Sequence, residues 1–294
     1  MRSFRYDDAA GKWFKGNTHI HTTASDGGMG YDEVAELYAG GEYNFLFATD
    51  HWAASDMAPR NGDAPLLWLD GIELDGQGGA DGYYHVVCLG RFEGIESGMG
   101  LAEAMQVARA QDGILILAHP YWCANSFADA FRWRFDGVEI YNHVCRWLNG
   151  KGMGAVHWNA MLARDPNILG FAVDDAHLRP EHPSWNGGWI HVNAEECTPQ
   201  AVVNAIRKGR YYSSCGPEIE AIEYRDGMLT VKTSPVRHVR LVGPGSRGAR
   251  VTAPEDEALE QTDIPVPEGW PYVYLELEDH GGQCAWTNGL FVEE

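Results

Sequence analysis

Positive charge is scarce in this sequence: 22 Lys and Arg stand against 42 Asp and Glu in 294 residues, a formal −20. Such a field repels phosphodiester backbones and anionic bilayers. It excludes a protein that grips nucleic acid or a membrane through its overall charge. Paired cysteines are also missing. The six present (Cys88, Cys123, Cys145, Cys197, Cys215 and Cys284) form no C-x-x-C and no dense spacing. Neither a disulfide framework nor a cysteine-zinc site is expected. No stretch approaches the ~18 apolar residues of a membrane span. The opening MRSFRYDDAAGKWF lacks the apolar core of a secretion signal, so a cytoplasmic location is expected. Apolar residues are plentiful at 45%, enough for an ordinary core without covalent cross-links. The acid is uneven, because residues 251–294 hold eleven Asp or Glu and no Lys or Arg.

Residues 13–215 alternate short apolar runs with helical or loop segments. The predicted strands are Thr18–Thr22, Phe45–Thr49, Leu66–Leu74, His85–Leu89, Ile114–Ala118, Gly137–Tyr141 and Ile168–Val173. They are almost continuously apolar, as strands covered on both faces are. Helices are predicted over Tyr31–Gly40, Leu101–Gln111 and Thr198–Gly209, the last opened by Thr-Pro and closed by glycine. This alternation predicts an α/β barrel or a doubly wound sheet. After Gly216 the pattern becomes all-β, with Arg225-Asp226-Gly227 as a hairpin turn and a short helical piece near Glu255–Glu260. The predicted domains are therefore residues 1–215 and 216–294.

Histidines and carboxylates gather at the C-terminal ends of the predicted strands, where parallel α/β folds build their pockets. His19-x-His21 is followed by Ser25-Asp26-Gly27, and Asp50-His51 closes Phe45–Thr49. Glu73, His119, Glu139 and the pair Asp175-x-His177 occupy four further ends, while His85 opens its strand instead. In H-x-H and D-x-H on a strand, both side chains face one way. Two such pairs with a bridging carboxylate make an N/O donor set suited to two or three divalent ions. His157, His182, His191, His238 and His280 are read as structural, and His143 is singled out because it follows a strand end by two residues.

The ordered series His19-Ile20-His21, Ser25-Asp26-Gly27, Thr49-Asp50-His51, Gly71-Ile72-Glu73, His85, Ala118-His119-Pro120 and Asp175-Ala176-His177 resembles the PHP (polymerase and histidinol phosphatase) superfamily. Trp13–Asn17, Gly137–Asn142, Gly209–Ser213 with Gly216-Pro217, and Ala285–Asn288 resemble its carbaryl-hydrolase-type branch, which carries a C-terminal β domain. The resemblance implies a distorted seven-stranded, TIM-like (β/α) barrel followed by a small, sandwich-like all-β domain. It also implies a cluster of two or three metals. His19, His21, Glu73 and Asp175 would hold the first, and Glu73 would share the second with His85 and His119. Asp26, His51 and His177 would hold the third. Manganese, zinc or iron would fill the sites, with Asp26 tilting the third toward a hard ion such as Mn²⁺.

A metal-dependent phosphoesterase acting on a small anionic substrate is the first expectation. A metal-dependent hydrolase of an ester, amide or carbamate is the alternative. A binding module with structural metals and no turnover is the third reading. Asp175 is the expected proton acceptor, with His177 or His143 assisting the leaving group. Arg179, Arg146, Trp52 and Tyr121 are the expected substrate contacts, since each follows a motif residue closely. The oligomeric state is left open by the sequence.

Overall fold

A computed structural model describes residues 2–6, 11–62, 64–78 and 82–293. In chain order, the first half runs β1 (Arg2–Phe4), β2 (Trp13–Asn17), α1 (Tyr31–Gly40), β3 (Phe45–Ala48), β4 (Leu67–Gln77), β5 (Tyr83–Leu89), α2 (Leu101–Ala110) and β6 (Ile114–Leu117). It continues with α3 (Phe127–Arg132), β7 (Gly137–Asn142), α4 (His143–Asn149), α5 (Ala155–Leu162), β8 (Leu169–Val173), β9 (Trp189–Asn193), α6 (Pro199–Arg207) and β10 (Tyr211–Ser214). Only strands follow: β11 (Ile219–Arg225), β12 (Met228–Val236), β13 (His238–Val242), β14 (Gly248–Thr252), β15 (Leu259–Pro265), β16 (Tyr274–Glu278), β17 (Cys284–Thr287) and β18 (Phe291–Glu293).

The result is a mixed α/β fold around a sheet of thirteen strands ordered β14-β13-β16-β17-β10-β9-β2-β3-β4-β5-β6-β7-β8. The predicted helices form where expected, and Thr198 caps α6 with its side chain on the Ala201 amide. Asp226 and Gly227 both adopt positive φ, 49° and 81°, as the predicted Asp-Gly hairpin between β11 and β12 requires. Residues 255–258 turn and lead into β15, so the short helix predicted there is absent. No described helix is long and apolar enough to cross a membrane.

Two departures from an all-parallel sheet position the site. Strand β5 runs antiparallel to both β4 and β6. Its first residues therefore lie beside the last residues of β4, with His85 opposite Asp75. This is why His85 opens its strand and still reaches the same end as the others. The second departure concerns His19-x-His21. Strand β2 ends at Asn17, before the predicted Thr18–Thr22, and Ile20 makes only a parallel bridge to Ala176. Backbone bonds to Thr49, Asp175 and Ala176 remain, and side chains take other amides. Thr49 Oγ1 takes the Ile20 amide at 2.9 Å and Asp50 Oδ1 takes the Thr22 amide at 2.7 Å. Buried backbone donors need partners, and these two fix the path of the motif.

The strands from β11 onward share one core. Ile222, Leu229, Val231 and Ile264 pack with Val239, Leu241, Leu275 and Leu277. Phe4 of β1, which pairs with β18, and Tyr212 of β10 join the same cluster. Strand β10 pairs with β9 on one side and β17 on the other, so a continuous ladder crosses residue 215.

Candidate metal centre

The C-terminal ends of β3, β6 and β8, the start of β5 and the middle of β4, which runs four residues past Glu73, bring the motif residues into one buried cluster. Glu73, nearly fully buried, stands at its middle. Its Oε2 lies 3.1 Å from His19 Nε2, 3.2 Å from His21 Nε2 and 3.2 Å from His51 Nε2. Its Oε1 lies 2.8 Å from His85 Nδ1 and 3.5 Å from His119 Nε2. Asp175 Oδ1 approaches His21 Nε2 at 3.0 Å and His19 Nε2 at 3.3 Å. At the outer edge, Asp26 Oδ2 is 3.3 Å from His177 Nε2, and Asp26 Oδ1 is 3.5 Å from His21 Nδ1.

Four donor groups emerge from these distances: His19/His21/Asp175, His19/Glu73/His119, His51/Glu73/His85 and His21/Asp26/His51/His177. Every motif residue expected as a ligand is in at least one of them. The donor chemistry fits divalent cations. His19 Nε2 and His21 Nε2 lie 3.1 Å apart, and one proton shared between them would leave both carboxylates facing lone pairs. Two ligands each ~2.1 Å from one ion stand ~3.0–3.4 Å apart, which matches the separations around Glu73 and Asp175. The buried Nδ1 atoms of His21 and His51 also lack a hydrogen-bond partner among the described residues. His51 Nδ1 lies 3.2 Å from Asp75 Oδ1, but off the hydrogen-bond direction.

The electrostatics follow from this crowding. Burial works against a charge on His19, yet Asp175, Glu73 and Glu139 outweigh it and raise its pKa well above the usual value. His21 is likewise opposed by burial but pushed up to about 9 by Asp175 and Glu73. Burial alone would raise the Glu73 and Asp175 carboxyls, whereas the histidines around them hold both well below the usual carboxylate range. Backbone strain is stored here too. His119 and Asp175 carry φ of 24° and 57°, uncommon for side chains with a Cβ, at the points where their strands turn into loops.

A second layer of polar residues orients the first. Glu139 Oε1 meets His19 Nδ1 at 2.6 Å, while its Oε2 accepts the His119 amide at 2.8 Å and Asn142 Nδ2 at 2.9 Å. Asn142 Nδ2 also reaches Asp175 Oδ2 at 3.1 Å. His177 donates Nδ1–H to the Asp175 carbonyl at 2.9 Å, which leaves Nε2 free for Asp26 or a cation. Asp174 accepts from Asn17, Tyr38 and the amides of residues 186–188, and so pins the neighbouring chain rather than entering the cluster.

The cluster floors a pocket of ≈ 260 Å³ walled by Trp122, Val144, Cys145, Leu148 and His182. Trp122 stands edge-on to His119, ring centroids 5.3 Å apart. The expected substrate contacts are distributed differently. Arg179 is at the edge, paired with Asp26 at 3.2 Å. Trp52 turns its Nε1 to Asp75 at 2.9 Å. Tyr121 is half exposed, and neither it nor Arg146 lines the pocket. His143 is outside it as well, with Nε2 on Ser184 Oγ at 2.7 Å and Nδ1 near Tyr141. Cys145, Leu148 and His182 line the pocket although no motif marks them and His182 reads as structural in the sequence.

No protein-family model and no curated protein matches the sequence. Among solved structures, the chain is similar to a two-domain protein containing a predicted PHP-like metal-dependent phosphoesterase from Bacteroides vulgatus. That match has a TM-score of 0.56 at 12% identity and covers 96% of each chain. Weaker likenesses are to a candidate metal-dependent phosphoesterase from Bifidobacterium adolescentis (TM-score 0.40, 13% identity, 56% of this chain and 89% of that one) and to an amidohydrolase from Chromobacterium violaceum with sulfate and no metal (TM-score 0.24, 22% identity, 57% and 56%). The first likeness shows a PHP-like fold.

Proposed function

We propose that this chain, with its PHP-like fold, is a metal-dependent hydrolase of a small phosphorylated substrate. The observation that carries the reading is the convergence of five histidine nitrogens on the single buried carboxylate of Glu73, at 2.8–3.5 Å. A carboxylate cannot accept five imidazole protons, and the arrangement is costly without cations. His19, His21, Glu73 and Asp175 would hold one divalent ion. Glu73, His85 and His119 would hold a second, and Asp26, His51 and His177 a third. The acid at Asp26 favours manganese over zinc or iron in that last site. The parallel bridge between Ile20 and Ala176 supports reading β2–β8 as a distorted barrel, with the later strands as a β domain.

Bound divalent ions would polarise the scissile group and lower the pKa of water in the pocket. The chain's own residues supply the rest. Asp175 Oδ2, held by Asn142, would take the water's proton. His177, its Nδ1 fixed on a carbonyl, presents only Nε2 and so stays oriented through the reaction. The wall of Trp122, Val144 and Leu148 excludes water on one side.

That wall also supports a second reading. No Lys or Arg lines the pocket, and Arg179 is engaged by Asp26. A site without free cations beyond its metals also suits an aryl ester, amide or carbamate, in keeping with the resemblance to the carbaryl-hydrolase-type branch. Both readings are tested by one panel on metal-loaded protein: p-nitrophenyl phosphate, its diester, and aryl esters and carbamates. Phosphate turnover abolished by His19→Ala supports the first reading. Ester or carbamate turnover with none on phosphates replaces it with the second. Metal uptake with no turnover at all overturns both.

A further inference from the structure

We infer that the face opposite the metal cluster carries a separate binding site for a small phosphate-bearing anion. Strands β6, β7 and β8 lead toward the cluster, where Glu139 lies within β7 and His119 and Asp175 follow β6 and β8. The residues just before these strands, Gly113, Asp136 and Ile168, line a groove of ≈ 580 Å³, more than twice the ≈ 260 Å³ of the metal pocket. That volume is in the range of small-molecule sites.

Four arginines line the groove: Arg109 from α2, Arg134 after α3, Arg164 after α5 and Arg207 at the end of α6. The chain holds 42 carboxylates, yet none of these four makes an ion pair among the described residues. Arg109 and Arg207 spend one nitrogen each on the carbonyls of Arg134 and Asp112. The Arg134 guanidinium has no partner among the described residues. Three aspartates share the lining, but Asp136 and Asp165 are engaged by the amides of Leu115 and Asn167, at 2.8 Å and 2.9 Å.

Four arginines against three aspartates leave the lining with a formal excess of one positive charge, which favours an anion. The guanidinium fork matches phosphate oxygens bidentately. One wall is aromatic. Phe131 lies beneath Arg164, with Cζ 3.4 Å from the ring centroid, which sets the plane of that guanidinium. Trp133 lines the same groove. Four arginines without an ion pair among the described residues, one of them over an aromatic ring, describe an anion site independent of the metals.

Calorimetric titration of the metal-loaded protein with inorganic pyrophosphate tests this. Saturable binding is expected, weakened about tenfold by Arg134→Gln or Arg164→Gln and about hundredfold by both, one charge-assisted contact being lost at each. Both side chains are exposed, and unchanged melting temperatures would show that the variants fold. His119→Ala, which alters only the cluster, is expected to leave the affinity unchanged. Binding unaltered by the double substitution, loss of the arginine-dependent binding in His119→Ala, or no saturable binding overturns the inference.

Discussion

Replacing Glu139 by Gln isolates what the second layer contributes to the metal centre. Glu139 and His19 are both essentially inaccessible, and their contact is short, 2.6 Å between Oε1 and Nδ1. The other carboxylate oxygen serves two donors, the His119 amide and Asn142 Nδ2. A glutamine can keep an oxygen toward only one of these groups. If the oxygen stays with His119 and Asn142, an NH₂ group faces His19 Nδ1. His19 must then move its proton to Nε2 and lose the lone pair it offers to the cluster. If the amide flips, two donors meet an NH₂ instead. Either way one charge-assisted hydrogen bond is lost, and either His19 gives up its Nε2 lone pair or donors face a donor, about 1.5–3 kcal/mol. Outer partners of metal-bound histidines carry similar weight, 10–100-fold in affinity. Glu139→Gln is therefore expected to weaken the tightest divalent site by about 10–100-fold, measured by competition with a chromogenic chelator. Apo-protein melting serves as the folding control. Unchanged metal affinity in a folded variant would refute the assignment of Glu139 as the group that orients His19.

Three further outcomes follow from the same geometry. Metal-free protein is expected to lose stability as pH rises from about 6.5 through about 9. The raised pKa of His21 contributes stability fully present below its unfolded value and lost above its folded one. Metal-loaded protein shows the opposite trend, since cations need unprotonated imidazole, and melting curves at three pH values distinguish the two. Trp122→Ala, which removes the pocket wall beside His119, is expected to raise KM for aryl substrates several-fold while leaving metal content unchanged. Asn17→Ala removes a buried hub that donates to Asp174 at 2.9 Å and to the Gly188 carbonyl at 2.8 Å. Its loss is expected to cost about 2–4 kcal/mol, read as a lower melting temperature.

The ligand candidates were legible because their spacing is local. His19-x-His21 and Asp175-x-His177 carry a period-two signal, and Glu73 and His119 close apolar runs. What orients them was not. Glu139 and His19 are 120 residues apart, and nothing at either position announces their contact. Asp75 and Asn142 are hidden for the same reason. His85 stood out as an exception in the sequence, and only the antiparallel pairing of β5 explains it. The strand expected over Thr18–Thr22 is reduced to a bridge, because side chains of Thr49 and Asp50 take the amides of Ile20 and Thr22 that a continuing ladder would have used. Strands β9 and β10 escaped prediction, yet they carry the sheet from the site into the later strands. The −20 net charge also proves unevenly used. Asp26, Glu73 and Asp175 face histidines at the centre, while four arginines gather unpaired on the far side.

Elemental analysis of the purified protein beside a Glu73→Gln variant tests the central claim most directly. Glu73 touches all five of the converging histidines, so it should govern more than one ion. Two or three divalent ions per chain are predicted, falling by at least one in the variant together with hydrolytic turnover. A chain that turns over substrate without divalent metal, or a Glu73→Gln variant that keeps its full complement, would contradict the account.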